Sequence, residues 1–381
     1  NFLPFRSCEV FQPGGLYYGV NTQTKHIILA DRKTLKCPNG IVLGTPGSGK
    51  SFFAKREMAN AFFATNDHIL ILDPENEYTA LTEQLHGQTI YLAPDSHSYL
   101  NPMDLDLSTD VGESPMLMQA DFLLSQCELM MASYGNPLMP IEKSLIDRCI
   151  SLVYRDYLKN PRPENMPVLG DLYQCLREQH NSRADDLATA MEIYVTGSLS
   201  YLNHRTNVDL NNRMVCYNTS KLGQGLKKLV MSNVQKHIWQ RTAVNRYAGI
   251  TTRIFLDEFH LLLKEPQTAA YTAEIYKRFR KWNGIPTSLT QNVKDLLDSS
   301  EIENILENSD FVLMLNQGAS DRNILAQRLG ISPQELSHVT NSSEGEGLLF
   351  FGDKIIPFED KFPRDTQLYR VMTTKPSDLA A

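Results

Sequence analysis

Apolar and polar residues follow two different periods along the chain, and the change of period divides it. Short apolar runs come first: "HILILD" at residues 68–73, "TIYLAP" at 89–94 and the run Ile41, Val42, Leu43 are bounded by Gly, Pro or Asp. Phe52, Ala59, Phe62 and Phe63 recur between them at helical spacing, so strands and helices alternate as in a parallel α/β sheet. Ahead of these, "GGLYYGVNTQTKHIILADRK" predicts two strands joined by a polar turn at residues 21–25. From about residue 111 to 203 the pattern is helical throughout, in "QADFLLSQCELMMASY", "PIEKSLIDRCISLVYRDYL" and "VLGDLYQCLREQ". The alternation resumes at "RMVCYNTSKL", continues through a helix over residues 224–247 and the strand "TTRIFLDEFH", and reaches a helix ending at Trp282. The strands "IPTSLTQ" and "FVLMLN" follow, then a capping box at Ser332 to Glu335 with Pro333 at the first helical position. "GEGLLFFGDKIIPF" predicts a closing hairpin that turns at Gly352 and Asp353. The expected organisation is an α/β core in two parts, residues 1–110 and 208–381, with an all-helical insertion over 111–207.

One turn in this pattern carries chemistry. Residues 44–51 read Gly44, Thr45, Pro46, Gly47, Ser48, Gly49, Lys50, Ser51, which fits G-x-x-x-x-G-K-[ST] between a strand and a helix. Glycine lets several N–H groups point inward together around phosphate oxygens. Lys50 brings charge to the terminal phosphates, the Ser51 hydroxyl is placed to ligate Mg²⁺, and Phe52 continues the site into the helix. ATP and Mg²⁺ are therefore the expected ligands. No N-K-x-D segment of the kind that reads guanine follows, which disfavours a GTPase.

A P-loop that hydrolyses its nucleotide needs a carboxylate for the metal and a group to orient water. Asp257 and Glu258 end the apolar run of "RIFLDEF", where α/β sheets place their ligand crevice. Asp257 is assigned to Mg²⁺ and Glu258 to the water. Gln291 ends the next strand and is a third candidate, while Asp73, Glu75 and Glu77 end the strand after the P-loop helix. His260 reads as structural, because no second ligand stands at metal spacing beside it. The helix to Trp282 packs through Tyr271, Ile275, Phe279 and Trp282, which turns Arg280 elsewhere. In a ring of ATPases an arginine so placed can reach a neighbour's γ-phosphate.

Composition narrows the partners. Thirty-seven basic against 44 acidic side chains give a formal charge of −7, which disfavours a broad basic face for duplex DNA and leaves only a local channel. With 42% hydrophobic and 21% charged residues the chain has the composition of a globular protein, and nothing in it approaches a membrane span. Six scattered cysteines form no C-x-x-C pair, as expected of thiols in a reducing cytoplasm. The start at Asn1, without Met or a signal pattern, reads as a segment of a longer protein.

The ordered set "GTPGSGKS", "DPENEY", "YLNPMD", "NHRTNVDL", "RIFLDEFH", "FRKWNGIPTSLTQN" and "GEGLLF" resembles the C-terminal ATPase domain of the VirB-four class of type IV secretion and conjugation ATPases, relatives of TraC, TraE and TrsE. The resemblance spans nearly the whole chain. It implies a RecA-like P-loop NTPase core of the HerA–FtsK superfamily and an ATP-driven motor for substrate transfer or pilus assembly. It also implies a cytoplasmic position at the inner face of the cell membrane, partners among other secretion ATPases and inner-membrane channel components, and a homo-hexamer. A DNA translocase or helicase of the same superfamily is the competing enzyme, and a nucleotide-gated assembly module with little turnover is the competing non-motor reading. The intact Glu258 argues against the latter.

Overall fold

The computed structural model describes residues 9–107, 114–132, 138–264, 266–291 and 300–375. The expected start of the helical insertion, at residue 111, lies outside them. The chain divides into two compact units: Asn1–Thr89, Asn212–Cys216 and Asn245–Ala381 form one, and Ile90–Asn211 with Tyr217–Val244 the other.

The chain carries one large sheet, most of whose residues belong to the first unit. Its strands are β1 (Leu16–Asn21), β2 (Ile27–Ala30), β3 (Gly40–Leu43), β4 (His68–Asp73), β5 (Gln88–Tyr91), β6 (Met214–Asn218), β7 (Thr252–Leu256), β8 (Gly284–Thr290), β9 (Phe311–Met314), β10 (Glu346–Phe351) and β11 (Lys354–Glu359). Among the described residues they lie in the order β2-β1-β11-β10-β9-β3-β8-β7-β4-β6-β5. The β9-β3-β8-β7-β4 centre is parallel, and these strands are buried at almost every position and not only at alternate ones. β10 and β11 form the expected antiparallel hairpin, with Gly352 at φ 62° in its turn.

Helix α1 (Lys50–Ala64) packs Ala54, Met58 and Ala61 into the core, and a buried charge network adds direction to that contact. Glu57 Oε1 accepts from Arg32 Nη1 and Arg253 Nη1, each at 3.0 Å, and from the Tyr18 hydroxyl at 3.0 Å. Arg253 Nε also donates to Asp67 Oδ2 at 2.9 Å. Because both guanidinium groups are desolvated, losing Glu57 would leave Arg32 without its carboxylate and Arg253 with Asp67 alone. The network therefore locks the helix that begins at the P-loop.

The second unit has no strand of its own between residues 114 and 211 among those described. It contains helices at Pro115–Ala132, Pro140–Val153, Arg155–Lys159, Leu169–Arg177 and Ser182–Val195, and takes in most of the 24-residue helix Gln224–Tyr247, beyond the stretch expected from the helical pattern. The "YLNPMD" segment is pinned inside it. Lys236 Nζ donates to Pro102 O at 2.8 Å and Asp104 O at 2.6 Å, and Asn101 Nδ2 donates to Pro167 O at 2.8 Å. The cysteines among the described residues are free.

Candidate active site

The phosphate-binding turn has its backbone shaped by glycine. Gly47 and Gly49 stand at φ 76° and 100°, and a Cβ on Gly44 would come within 2.4 Å of Ser48 Oγ. Gly49 caps α1 without a side-chain acceptor, so the N–H groups of the first helical turn are left to a ligand. Ser48 Oγ bonds Thr45 O at 2.7 Å and Thr45 N bonds Asn316 O at 2.9 Å, which fixes the loop against the residues after β9. Lys50 Nζ lies on the loop's own carbonyls, 2.8 Å from Gly44 O and 3.0 Å from Thr45 O. Burial lowers its pKa, and the charges of Glu258, Asp257 and Glu77 push back the other way.

The carboxylates come from strand ends beside it. β8 lies between P-loop strand β3 and β7, so Gln291, just past β8, stands next to the Asp257–Glu258 pair that follows β7. Gln291 Nε2 donates to Glu258 Oε1, and His260 Nδ1 lies 3.1 Å from Glu258 Oε2. Burial alone would raise Glu258, but the contacts with His260 and Gln291 and the Lys50 charge outweigh it and hold the carboxyl below its ordinary range. Glu258 therefore stands as an ionised acceptor. Its backbone is left-handed at φ 43°, a conformation that costs a side-chain-bearing residue about 1 kcal/mol or more and concentrates at functional sites. His260, expected to be structural, is thus part of the carboxylate's surroundings; the turn between Glu258 and the helix His260–Leu263 brings them together.

Asp257 is 5% exposed, and burial, followed by the charge of Glu77, pushes its pKa up to about 8. Asp73 organises the "DPENEY" loop by accepting N–H bonds from Glu75, Glu77 and Tyr78 at 3.3, 3.0 and 2.9 Å. Asn76 at φ 59° turns the chain so that Glu75 is exposed while the Glu77 Oε2 atom is buried without a hydrogen-bond partner. A buried carboxylate oxygen left unpaired beside a second, protonated carboxyl is the arrangement a divalent cation would complete. The Asp257 and Glu77 carboxyls fit Mg²⁺ in this respect.

Arg280 is elsewhere. The helix Pro266–Phe279 ends one turn earlier than expected and passes into a short 3-10 turn at Arg280–Trp282, because Asn283 takes a left-handed φ of 54°. Ile275, Phe279 and Trp282 are buried, Tyr271 is half-buried, and Arg280 is exposed with Nη1 3.2 Å from Cys37 Sγ. It precedes β8, whereas Gln291 follows it, so about 20 Å of extended strand separates Arg280 from its own site.

Residues 28–344 match the TraG P-loop domain family. The chain belongs to that family. VirB4 of Thermoanaerobacter pseudethanolicus has the same fold, with a TM-score of 0.83 at 23% identity over 94% of this chain and 100% of that one. The plasmid coupling protein TrwB in complex with ADP and Mg²⁺ is similar at a TM-score of 0.60 and 14% identity, over 92% of each chain. TrwB with the non-hydrolysable GTP analogue GDPNP gives 0.58 and 14% over the same shares. No curated protein sequence matches the chain. These likenesses bear out the α/β P-loop NTPase core.

In this TraG P-loop domain the Asp257 proton gives a measurable pH dependence. The folded pKa of about 8 lies above the ordinary carboxylate value of about 4, so between those limits the folded state keeps a proton that the unfolded chain has lost. Without Mg²⁺, the contribution of Asp257 to stability is therefore expected to fall as pH rises from about 4 to 8, and Asp257→Asn to remove that fall in urea titrations. Mg²⁺ requires the ionised form, so its affinity with nucleotide should rise with pH over the same window. Calorimetry in buffers of different ionisation heat should show proton release on Mg²⁺·ADP binding, lost in Asp257→Asn. Equal proton release in both proteins would move the proton to another group.

Proposed function

We propose that this domain is an ATP-hydrolysing motor of a type IV secretion or conjugation system, and that it works as a ring of identical subunits. The observation that carries the reading is the juxtaposition of Glu258 and Gln291 with a complete P-loop across adjacent parallel strands. Family membership and the fold shared with VirB4 and TrwB support it, as do the TrwB structures with ADP and Mg²⁺ and with ATP and GTP analogues.

The backbone N–H groups of residues 44–51 and the start of α1 bind the phosphates, and Lys50 leaves the Gly44 and Thr45 carbonyls for the terminal phosphate oxygens. Ser51 and Asp257 would hold Mg²⁺, which neutralises phosphate charge when bound. Glu258, kept ionised, accepts a proton from the attacking water, while Gln291 holds one of its oxygens in place and His260 lies beside the other. Water and the leaving phosphate gain their orientation from these fixed groups. Among the described residues, no helix is long and apolar enough to cross a membrane, and attachment to an inner-membrane channel is proposed to run through partners. The helical unit is the candidate surface for such partners.

Arg280 lies too far along the strand to serve its own P-loop, so any catalytic role is in trans. The test is ATP turnover of the full-length protein as concentration, secretion-channel partners and DNA are varied. A rate that rises faster than concentration is expected, and an arginine supplied by a neighbour is worth about 10³–10⁵ in rate. Arg280→Ala and Lys50→Ala should each be deficient, while their mixture recovers activity at interfaces pairing an intact P-loop with an intact arginine. No recovery in co-assembled mixtures would remove Arg280 from the mechanism; DNA-stimulated turnover without partners would favour a translocase.

A further inference from the structure

Ser51 and Lys55 stand four residues apart on α1 and share one face of that helix. Tyr78, the last residue of "DPENEY", meets both of them: its ring centroid lies 5.6 Å from Lys55 Nζ, and its hydroxyl stands beside the hydroxyl of Ser51. Each end of the contact is held from outside. Lys55 Nζ donates to Met372 O at 3.0 Å, which keeps the ammonium group by the ring. Tyr78 N donates to Asp73 Oδ2 at 2.9 Å, and Tyr78 O accepts from Thr82 N and Thr82 Oγ1, each at 3.0 Å. The place of the ring is therefore set by backbone bonds and packing, not by its own hydroxyl.

That hydroxyl is the atom the packing does not explain. Tyr78 is fully buried, and its Oη makes no hydrogen bond among the described residues, although Ser51 is beside it. A buried hydroxyl without a partner is disfavoured against the same ring without one, so Phe would serve the core better. Burial, and after it the charges of Asp257, Glu77 and Asp73, raise its pKa well above the ordinary tyrosine value. It stays a neutral phenol, able both to accept and to donate. Glu77 Oε2, on the residue before it, is buried and unpaired as well, so two adjacent residues of one loop bring unsatisfied polar atoms to the surroundings of Asp257.

We infer that Tyr78 is a positioning residue for the metal site: its hydroxyl accepts a hydrogen bond from Ser51 Oγ and so turns the Ser51 lone pairs toward Mg²⁺. The inference rests on the assignment of Ser51 to that metal. A serine hydroxyl that gives a lone pair to a cation has to direct its proton away from it, and an acceptor placed behind the ligand fixes that rotation. Tyr78 needs no contact with metal or nucleotide for this. Its role is to hold one orientation of a group that would otherwise rotate freely.

The test is calorimetric titration of ADP into the full chain with Mg²⁺ and with EDTA, together with Mn²⁺ binding to the ADP complex read by electron paramagnetic resonance. Tyr78→Phe keeps the ring beside Lys55, so the urea denaturation curve and the affinity for metal-free ADP should not fall. Affinity of the ADP complex for Mg²⁺ and Mn²⁺ should fall about tenfold, the low end of what losing a partner behind a metal ligand costs. Ser51→Ala should lose metal affinity too, and adding Tyr78→Phe to it should cost nothing more, because no hydroxyl is left to orient. Wild-type metal affinity in Tyr78→Phe, an equal loss for metal-free ADP, or losses that add in the double variant would overturn the role of Tyr78 while Ser51 remained a ligand. Wild-type metal affinity in Ser51→Ala would remove the metal assignment of Ser51, and the role of Tyr78 would fall with it.

Discussion

Glu258→Gln is expected to bind Mg·ATP near wild-type affinity and to hydrolyse it about 10²–10⁴ times more slowly, the usual contribution of a positioned general base. The substitution keeps the size of the side chain and can still bond Gln291, so the left-handed turn at residue 258 need not move. What it removes is an acceptor that His260, Gln291 and Lys50 hold ionised against its burial. The loss falls on the transition state, where water gives up its proton, and not on the bound ground state. Single-turnover hydrolysis beside equilibrium nucleotide binding separates the two. Wild-type turnover in this variant would pass the role of base to Glu77, whose buried oxygen has no hydrogen-bond partner.

Lys50→Ala is expected to abolish nucleotide binding or turnover without unfolding the protein. Lys50 is 7% exposed, yet its ammonium group bonds only loop carbonyls and lies among carboxylates, so it adds little to the core. A ligand phosphate left without that cation loses a desolvated charge pair, about 2–5 kcal/mol, or roughly thirtyfold to several-thousandfold in affinity. The buried Glu57–Arg32–Arg253 network, which anchors α1, is untouched by the change. Mg·ATP titration alongside a urea denaturation curve is the check. A folded Lys50→Ala protein with normal affinity and turnover would remove the P-loop from the mechanism.

Both predictions use residues that were legible in the sequence for a local reason. The P-loop is eight consecutive residues whose glycines, lysine and serine act within one turn, and the observed φ angles at Gly47 and Gly49 are the ones such a turn requires. The helix Gln224–Tyr247, the capping box before the helix Pro333–Leu336 and the hairpin turning at Gly352 were equally readable, because each depends on side chains within a few positions. Asp257 and Glu258 could be assigned as a pair at a strand end, but not divided by protonation state. That division comes from burial and from Glu77 across the crevice, at a distance of 180 residues along the chain.

Strand order was decided only in three dimensions. Hydrogen bonds between parallel strands depend on which apolar faces pack together, and a continuous apolar run carries no label for its neighbour. Placing β8 between β3 and β7 is what brings Gln291 onto Glu258 and puts Arg280 at the far end of the same strand. The turn at Asn76 buries a Glu77 oxygen, and the left-handed backbone at Glu258 brings His260 back to it; neither follows from residue type. Gly345 shows the same division. "GEGLLF" reads in sequence as the start of the closing hairpin, but only the hydrogen bond from Gly345 N to Ser48 O ties it to the P-loop. Local backbone preference sets the parts, and long-range packing sets which side chains meet.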